Sequence, residues 1–241
     1  MSNDRETVML SIAYRCCWQL WDVVMPPKPA QALGGRTIEV GSIADIRLRH
    51  RELVLTFDDG PIPEHTEAVL RALDDAGVKA TFLMIGAQAM AYPALVRMVA
   101  ERGHTIGSHT NTHLNLKELD PKSARKEIDA GRENVAAALQ QQRFRAAPFF
   151  RFPFLLSTPL LRNELSGRKI VVLDADINIG DSKEFLSPQL LYRQAIRRIL
   201  RRGSGVVLLH DIHARTVTIL PTLLAYLKTK GFTIVHLVPQ A

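Results

Sequence analysis

The sequence contains little cysteine. Its 241 residues include two cysteines, Cys16 and Cys17, which are adjacent and close to the N-terminus. Such a pair cannot crosslink a distant loop, and no cysteine-based metal motif can be formed from it. We therefore expect a main body without disulfides, which fits a cytoplasmic protein and equally a periplasmic protein that needs no bridges.

The sequence also lacks a hydrophobic run suited to crossing a membrane. Residues 8–25 are fairly apolar, but Arg15 and Asp22 interrupt them, so the segment is too polar and too short for a good span. Ala30-Gln31-Ala32 has the form of a signal-peptidase site. We interpret residues 1–50 as a leader and linker, and an atypical export signal, an amphipathic helix and a disordered leader are all open. A bacterial cell-envelope, periplasmic or secreted location is favoured over the cytoplasm.

The charge is unbalanced toward positive, with a net value of +7. This favours anionic partners such as cell-wall polymers, membrane surfaces or nucleic acid. Five arginines recur at helical spacing near residue 200, but no interleaved aromatic residues or nucleic-acid motif accompany them. We therefore expect no nucleic-acid partner and keep contact with an anionic envelope surface as an alternative. The arginines are Arg193, Arg197, Arg198, Arg201 and Arg202.

From residue 51 onward, short apolar runs alternate with amphipathic segments of helical period. This pattern predicts about seven strands alternating with helices, hence a mostly parallel α/β sheet in one catalytic domain, residues 51–241. A barrel and an open doubly wound sheet both fit. The predicted strands are 53–57, 80–85, 104–108, 149–152, 169–174, 205–209 and 232–238, and the helices are 65–76, 93–102, 121–142, 158–165, 188–202 and 216–230.

Titratable residues follow several of these strands, at the edge where α/β proteins carry their chemistry. Asp58-Asp59 ends the first strand, and it could be a simple acidic turn before Gly60-Pro61. His109 and His113 lie four residues apart, a common metal-ligand spacing, and two imidazoles with one carboxylate suit zinc while leaving a position for water. Arg151 lies among apolar residues and is costly to bury unpaired, so we expect a carboxylate partner, with Asp181 as the candidate.

Four of these segments resemble the motifs of one family. Thr56–Pro61 (TFDDGP), His109–His113 (HTNTH), Arg151–Phe154 (RFPF) and Leu208–His210 (LLH) are similar, in order and spacing, to motifs of the polysaccharide deacetylases of carbohydrate esterase family four, the NodB-homology domain. The resemblance covers roughly residues 53–238. One motif departs, because Ser182 stands where the family usually has a tryptophan that walls the pocket.

The resemblance implies a distorted (β/α)7 barrel and a metal-dependent hydrolase. Its substrate would be an N-acetylated amino-sugar polymer or oligomer, such as a chitooligosaccharide or peptidoglycan, from which metal-activated water removes the acetyl group. The divalent metal would most naturally be Zn²⁺, with Co²⁺ or another ion as alternatives. The implied metal ligands are Asp59, His109 and His113. The implied catalytic residues are Asp58 as general base, His210 as general acid, and Arg151 and Asp181, with Asp181 as the anionic neighbour of His210 that would also orient Arg151.

Two other functions fit parts of the same pattern. An amidase or deformylase of the same superfamily, acting on a non-polymeric or glycolipid substrate, would use the same metal chemistry. A carbohydrate-binding protein with a decayed catalytic site would explain Ser182, but the intact acidic and histidine residues argue against it.

Overall fold

The computed structural model describes residues 32–140 and 144–240. The leader segment interpreted above, including the apolar residues 8–25, lies outside these ranges. None of the helices within them combines the length and hydrophobicity that a membrane crossing requires.

The described chain alternates strands with helices. The strands are β1 Gly34–Val40, β2 Glu52–Asp58, β3 Thr81–Met84, β4 Thr105–Ser108, β5 Phe149–Phe150, β6 Val171–Val172, β7 Ile177–Asn178, β8 Gly205–His210 and β9 Thr233–Pro239. The helices are α1 His65–Ala76, α2 Gly86–Ala91, α3 Pro93–Glu101, α4 Pro121–Leu139, α5 Pro159–Gly167, α6 Pro188–Arg202 and α7 Ala214–Thr229. Short 3₁₀ turns cover Ile43–Asp45 and Pro153–Leu155.

Every strand pairing in the sheet is parallel. The main order is β7-β8-β2-β3-β4-β5-β6, while β9 pairs with the start of β2 and β1 pairs with β9. Within the described residues β6 and β7 do not pair, so the ring of strands is interrupted there. The predicted fold, a distorted (β/α)7 barrel, is confirmed.

The hydrophobic core has an inner and an outer part because side chains alternate along each strand. Leu53, Leu55 and Phe57 of β2 pack outward in the cluster that also contains the helix residues. Val54 belongs instead to a cluster drawn almost entirely from the strands, which fills the inside of the barrel. The inner cluster also contains Leu83, Phe149, Val206 and Leu237.

Helix ends follow ordinary capping chemistry. The Asp120 carboxylate accepts hydrogen bonds from the first backbone amides of α4, and Ser187 and Thr158 do the same for α6 and α5. Gly77 and Gly203 end α1 and α6 in the left-handed conformation, which glycine adopts without steric cost. These local signals explain why the bounds of most helices were predictable from the sequence.

Two strands and one helix were not predicted. Residues 34–40 were interpreted as part of a leader and linker, whereas they form β1, whose partner is β9. β1 therefore belongs to the same folded unit as the predicted domain, residues 51–241. β1 exposes most of its residues, and β7 and α2 have two and six residues, so none of them produces a long apolar period.

Two of the five arginines on α6, which together form a basic stripe, are bound to other residues of the protein. Arg198 donates a hydrogen bond to the Asn178 carbonyl, and Arg202 pairs with Asp176 at 2.7 Å. Arg193, Arg197 and Arg201 are exposed on α6. The stripe therefore both attaches α6 to the β7 region and leaves three cations facing solvent.

A buried histidine makes stability sensitive to acid. His104 is 6% exposed, and its Nδ1 accepts a hydrogen bond from the Ala80 amide at 3.1 Å. Burial, together with the charge of Lys79, lowers the pKa of His104 to about 3. In the unfolded chain, the His104 imidazole therefore takes up a proton as the pH falls below about 6.5, whereas in the folded chain it stays neutral down to about pH 3. The free energy of unfolding therefore decreases as the pH falls from about 6.5 toward 3.

We expect the free energy of unfolding of the wild type to fall by about 2 kcal/mol more than that of His104→Asn between pH 7.5 and pH 5. Asparagine places an acceptor near the position of Nδ1 but takes up no proton. Urea denaturation at both pH values measures the difference, and His50→Gln, at an exposed histidine, is the control. Equal pH dependence in wild type and His104→Asn would contradict the prediction.

Candidate active site

The residues singled out from the sequence meet at one face of the barrel. Asp58 is the last residue of β2, and its register partner on β8 is His210. His109 directly follows β4, and Arg151 directly follows β5. Because the strands are parallel, their carboxyl ends share one edge, so residues distant in sequence become neighbours.

Asp59, His109 and His113 form a cluster suited to one metal ion. Asp59 Oδ1 lies 3.5 Å from His109 Nε2 and 3.3 Å from His113 Nε2, and the three ligand atoms lie within 4.8 Å of one another. Ligands bound tetrahedrally at zinc distances would be about 3.4 Å apart. The spacing therefore suits a small divalent cation.

The hydrogen bonding of these three residues also fits a metal ion. Asp59 Oδ1 is buried and has no hydrogen-bond partner among the described residues. His109 Nδ1 lies 2.8 Å from the Arg151 carbonyl, so this nitrogen carries the proton and Nε2 presents its lone pair to the cluster. A cation would satisfy the orphaned carboxylate oxygen and both imidazole lone pairs.

The backbone around this cluster is strained. Asp59 has a φ of 76° and His113 a φ of 62°, in the left-handed region that side chains other than glycine rarely adopt. Such conformations persist only when the surrounding structure holds them. Contacts with neighbouring residues, and not the backbone conformation that these residue types prefer, therefore orient the ligand side chains.

Arg151 is buried inside the barrel beside Asp58. It is 1% exposed, and its Nη1 donates to Asp58 Oδ1 at 2.7 Å and to Thr56 Oγ1 at 2.8 Å. The prediction of a carboxylate partner is correct, but the choice of Asp181 is wrong. Asp58 ends β2 and Arg151 directly follows β5, whereas Asp181 follows β7 and bonds to His210 at the end of β8.

Asp181 holds His210, which is the other contact that was predicted for it. Its carboxylate accepts from the backbone amide of His210 at 2.7 Å, from Thr216 Oγ1 at 2.8 Å, and lies 2.8 Å from His210 Nδ1. Burial by itself would lower the pKa of His210, but the hydrogen bond and charge of Asp181 raise it to about 9. Burial would raise the pKa of Asp181, and the bonds with His210 and Thr216 hold it below its usual value. His210 Nε2 is left facing Asp59, whose Oδ2 is 3.9 Å away.

These groups surround a pocket of about 430 Å³. Five of the seven predicted site residues line it directly, and Arg151 and Asp181 bond to three of those five, namely Asp58, His109 and His210. The remaining walls include Phe154, Ser182 and His213. The Phe154 ring packs edge-on against His113, with centroids 4.7 Å apart, while Ser182 contributes only a small side chain. The predicted residues that line the pocket are Asp58, Asp59, His109, His113 and His210.

Two polar residues of this region were not assigned to the site from the sequence. His213 lines the pocket, with its ring centroid 5.5 Å from that of His210. Asp211 is fully buried, and its Oδ2 accepts from Thr66 Oγ1 at 2.6 Å. Burial raises the pKa of Asp211 to about 7. A spacing of three residues after His210 was the only sequence signal for His213.

Asp211 also explains why a glycine follows Asp59. A Cβ added to Gly60 would lie 2.3 Å from Asp211 Oδ2, which is closer than two such atoms can approach. The turn that carries Asp59 therefore packs directly on a buried side chain of the β8 end.

The fold and this cluster together define an α/β-barrel protein with a candidate site for a divalent cation. The sequence profile of the polysaccharide deacetylases matches residues 45–168, and the chain belongs to that family. The family predicted from the motifs is thereby confirmed.

Named relatives agree with this assignment. A chitin deacetylase of Pestalotiopsis is 30% identical over 201 residues, which are 82% of this chain and 66% of that protein. A chitooligosaccharide deacetylase of Rhizobium leguminosarum bv. trifolii is 40% identical over 91 residues, 38% of this chain and 42% of that protein. The matched regions thus span less than two thirds of these relatives.

Solved structures share the fold. A peptidoglycan deacetylase of Bdellovibrio bacteriovorus has a TM-score of 0.75 and 29% identity, covering 90% of this chain and 58% of that one. A family 4 carbohydrate esterase from Streptomyces lividans, in complex with acetate, has a TM-score of 0.67 and 27% identity, covering 76% of this chain and 91% of that one.

Proposed function

We propose that this protein is a metal-dependent deacetylase that removes N-acetyl groups from an amino-sugar glycan of the peptidoglycan or chitooligosaccharide type. The observation that carries the proposal is the convergence of Asp59, His109 and His113 beside Asp58 and His210 around one pocket. The names of the relatives support the substrate class.

Asp59, His109 and His113 would hold the metal ion. Two imidazole nitrogens and one carboxylate oxygen are a donor set that suits Zn²⁺, with Co²⁺ as a substitute. A divalent cation there would supply Lewis-acid polarisation of the acetyl carbonyl and of a water molecule. The protein contributes the orientation, because His109 is fixed through its Nδ1 by the Arg151 carbonyl.

Asp58 is proposed as the general base. Its Oδ1 is held by Arg151, while its Oδ2 lies 3.7 Å from His109 Nε2, on the side of the metal cluster. The carboxylate therefore has one anchored oxygen and one oxygen turned toward the reacting groups. It would accept a proton from the water that attacks the acetyl carbon.

His210 is proposed as the general acid. Asp181 accepts from Nδ1, so Nε2 points into the pocket, and against the effect of burial the hydrogen bond and charge of Asp181 raise the pKa of the ring, which favours its protonated form. The proton on Nε2 would pass to the sugar nitrogen as its bond to the acetyl carbon breaks, giving acetate and a free amine. We propose the backbone N–H of Phe154 as a further donor to the acetyl oxygen during the reaction.

An amino sugar carried on a lipid is the second candidate substrate. Phe154 is 61% exposed and Phe185 is 79% exposed, and Leu114 and Leu156 are exposed as well. All four lie on loops that follow strands at the same face as the pocket. Phe154 also lines the pocket, and an exposed apolar wall at a site suits contact with an apolar ligand or surface.

Acetate release tests both candidates. The metal-stripped protein, with and without added Zn²⁺, is assayed on acetylated chitooligosaccharides, peptidoglycan and an N-acetylated glycolipid, with His113→Ala as the blank. We expect zinc-dependent acetate release from at least one glycan. Release from the glycolipid alone would select the second candidate, and zinc binding without release from any of the three would refute the deacetylase proposal.

For peptidoglycan as the substrate, we propose a location outside the cytoplasm, because peptidoglycan lies outside the cytoplasmic membrane. Fractionation of cells that express the full chain would test it, and recovery in the cytoplasmic fraction alone would contradict it.

A further inference from the structure

The chain between the two metal-site histidines rests on one face of α4. This segment, Thr110-Asn111-Thr112, is called the histidine loop below. Glu127, Gly131 and Asn134 of α4 are spaced four and three residues apart, which places them on one side of the helix. Each of the three contacts a different residue of the histidine loop.

Two of these contacts are hydrogen bonds from side chains. Glu127 Oε2 accepts from both the amide and the hydroxyl of Thr112, at 3.0 Å each. Asn134 Nδ2 donates to Asn111 Oδ1 at 2.8 Å. The loop is therefore tethered to α4 at two positions.

The third contact, made by Gly131, involves backbone atoms alone. A Cβ added to Gly131 would lie 2.3 Å from the Thr110 carbonyl carbon and 2.7 Å from the Asn111 nitrogen. The helix can approach this closely only because residue 131 has no side chain. The amides of Gly86 and Ala87 in α2 donate to the Thr110 and Asn111 carbonyls at 2.9 Å and 3.0 Å. The histidine loop is thus held by both α2 and α4.

These contacts matter because the backbone is strained at Thr110, where the histidine loop begins, and at His113, which directly follows it. Thr110 has a φ of 65° and His113 a φ of 62°, and neither conformation is favoured for these residue types. Relaxation of either would rotate the His113 imidazole away from Asp59, which lies 3.3 Å from it. The contacts of α4 oppose that relaxation.

We propose that Glu127, Gly131 and Asn134 are positioning residues that set the geometry of the metal site without touching metal or substrate. The inference rests on the proposed function, since it takes His109 and His113 as metal ligands. None of the three residues belongs to the motifs that identify the family.

The main test compares Glu127→Ala with Glu127→Gln. The glutamine keeps an oxygen acceptor for Thr112 and should restore wild-type behaviour, whereas the alanine removes both hydrogen bonds. Glu133→Ala changes an exposed glutamate on the same helix and is the matched control. The double variant Glu127→Ala/Asn134→Ala removes both tethers, and Gly131→Ala pushes the loop away.

Three quantities are measured on the full chain. Zn²⁺ affinity, by competition with a chelating dye, should fall about 10- to 100-fold in the double variant. Amide hydrogen exchange at residues 110–113 should accelerate in the metal-free protein. The visible spectrum of the Co²⁺-substituted protein should change, a readout that a loss of general stability would not move. The half-exposed Glu127 side chain makes Glu127→Ala a variant that folds.

The outcomes separate the two proposals. If the wild type binds Zn²⁺ and the double variant binds it equally well with an unchanged Co²⁺ spectrum, the positioning inference is overturned and the proposed function stands. If the wild type binds neither ion, the proposed function is overturned, and the positioning inference with it. Weak binding in Glu127→Gln as well as in Glu127→Ala would also contradict the inference.

Discussion

Replacing Asp59, His109 or His113 with alanine is expected to abolish stoichiometric zinc binding and, with it, hydrolysis. Each residue supplies one of three donor atoms within 4.8 Å of one another, so two donors remain in any single variant. Loss of residues that only orient a ligand already weakens metal binding about 10- to 100-fold, and loss of a ligand should exceed that. Metal content after dialysis and calorimetric titration with Zn²⁺ measure the effect.

His213→Ala is the control for this experiment. His213 lines the same pocket but lies outside the three-residue cluster, so its variant should retain zinc. Wild-type zinc affinity in His113→Ala would show that the ion, if bound, is held elsewhere, and the assignment of the metal site would be lost.

Asp58→Asn is expected to keep the metal and to lose both turnover and stability. A general base contributes about 10²- to 10⁴-fold to a rate, and kcat should fall by that amount while zinc affinity changes little. The same change removes the negative charge from a pair in which Asp58 and Arg151 are 2% and 1% exposed. Breaking a buried pair costs up to about 3–5 kcal/mol because the remaining charge is uncompensated. Urea denaturation measures this second effect.

Thr56→Val separates the two effects of Asp58→Asn. Thr56 accepts a hydrogen bond from Arg151 at 2.8 Å but leaves the carboxylate in place. Its variant should lose about 1–3 kcal/mol of stability and keep kcat within a few-fold of wild type. Full activity in Asp58→Asn, measured well below its Tm, would refute the assignment of Asp58 as the base.

The pairing of Arg151 shows where sequence reasoning reaches its limit. The apolar neighbours of Arg151 correctly indicated burial and a carboxylate partner. Several carboxylates end strands on the same face, and the choice among them depends on which strands are adjacent and which side chains point inward. Asp58 satisfies both conditions, whereas Asp181 lies beside His210. That information is in the order of strands and not in the spacing of residues.

The support of the histidine loop was equally outside the reach of sequence patterns. Glu127, Gly131 and Asn134 read as ordinary residues of an amphipathic helix, and Gly131 as a mild helix weakener. Their role becomes visible only when α4 is seen packed on the segment between His109 and His113. Likewise, Asp211 reads as a loop cap until its contact with Gly60 and Thr66 is known.

By itself, the sequence determined the alternation of strands and helices, the barrel class and the family, because apolar periodicity, helix caps and short motifs are local properties. Those signals are carried by residues close together in the chain, and they can be recognised without knowledge of the partner segments. Only the tertiary structure decided that Arg151 meets Asp58 and not Asp181, and what holds the strained backbone at Asp59 and His113. These are contacts between segments that can be more than ninety residues apart, and they are set by the register of parallel strands and the packing of α4.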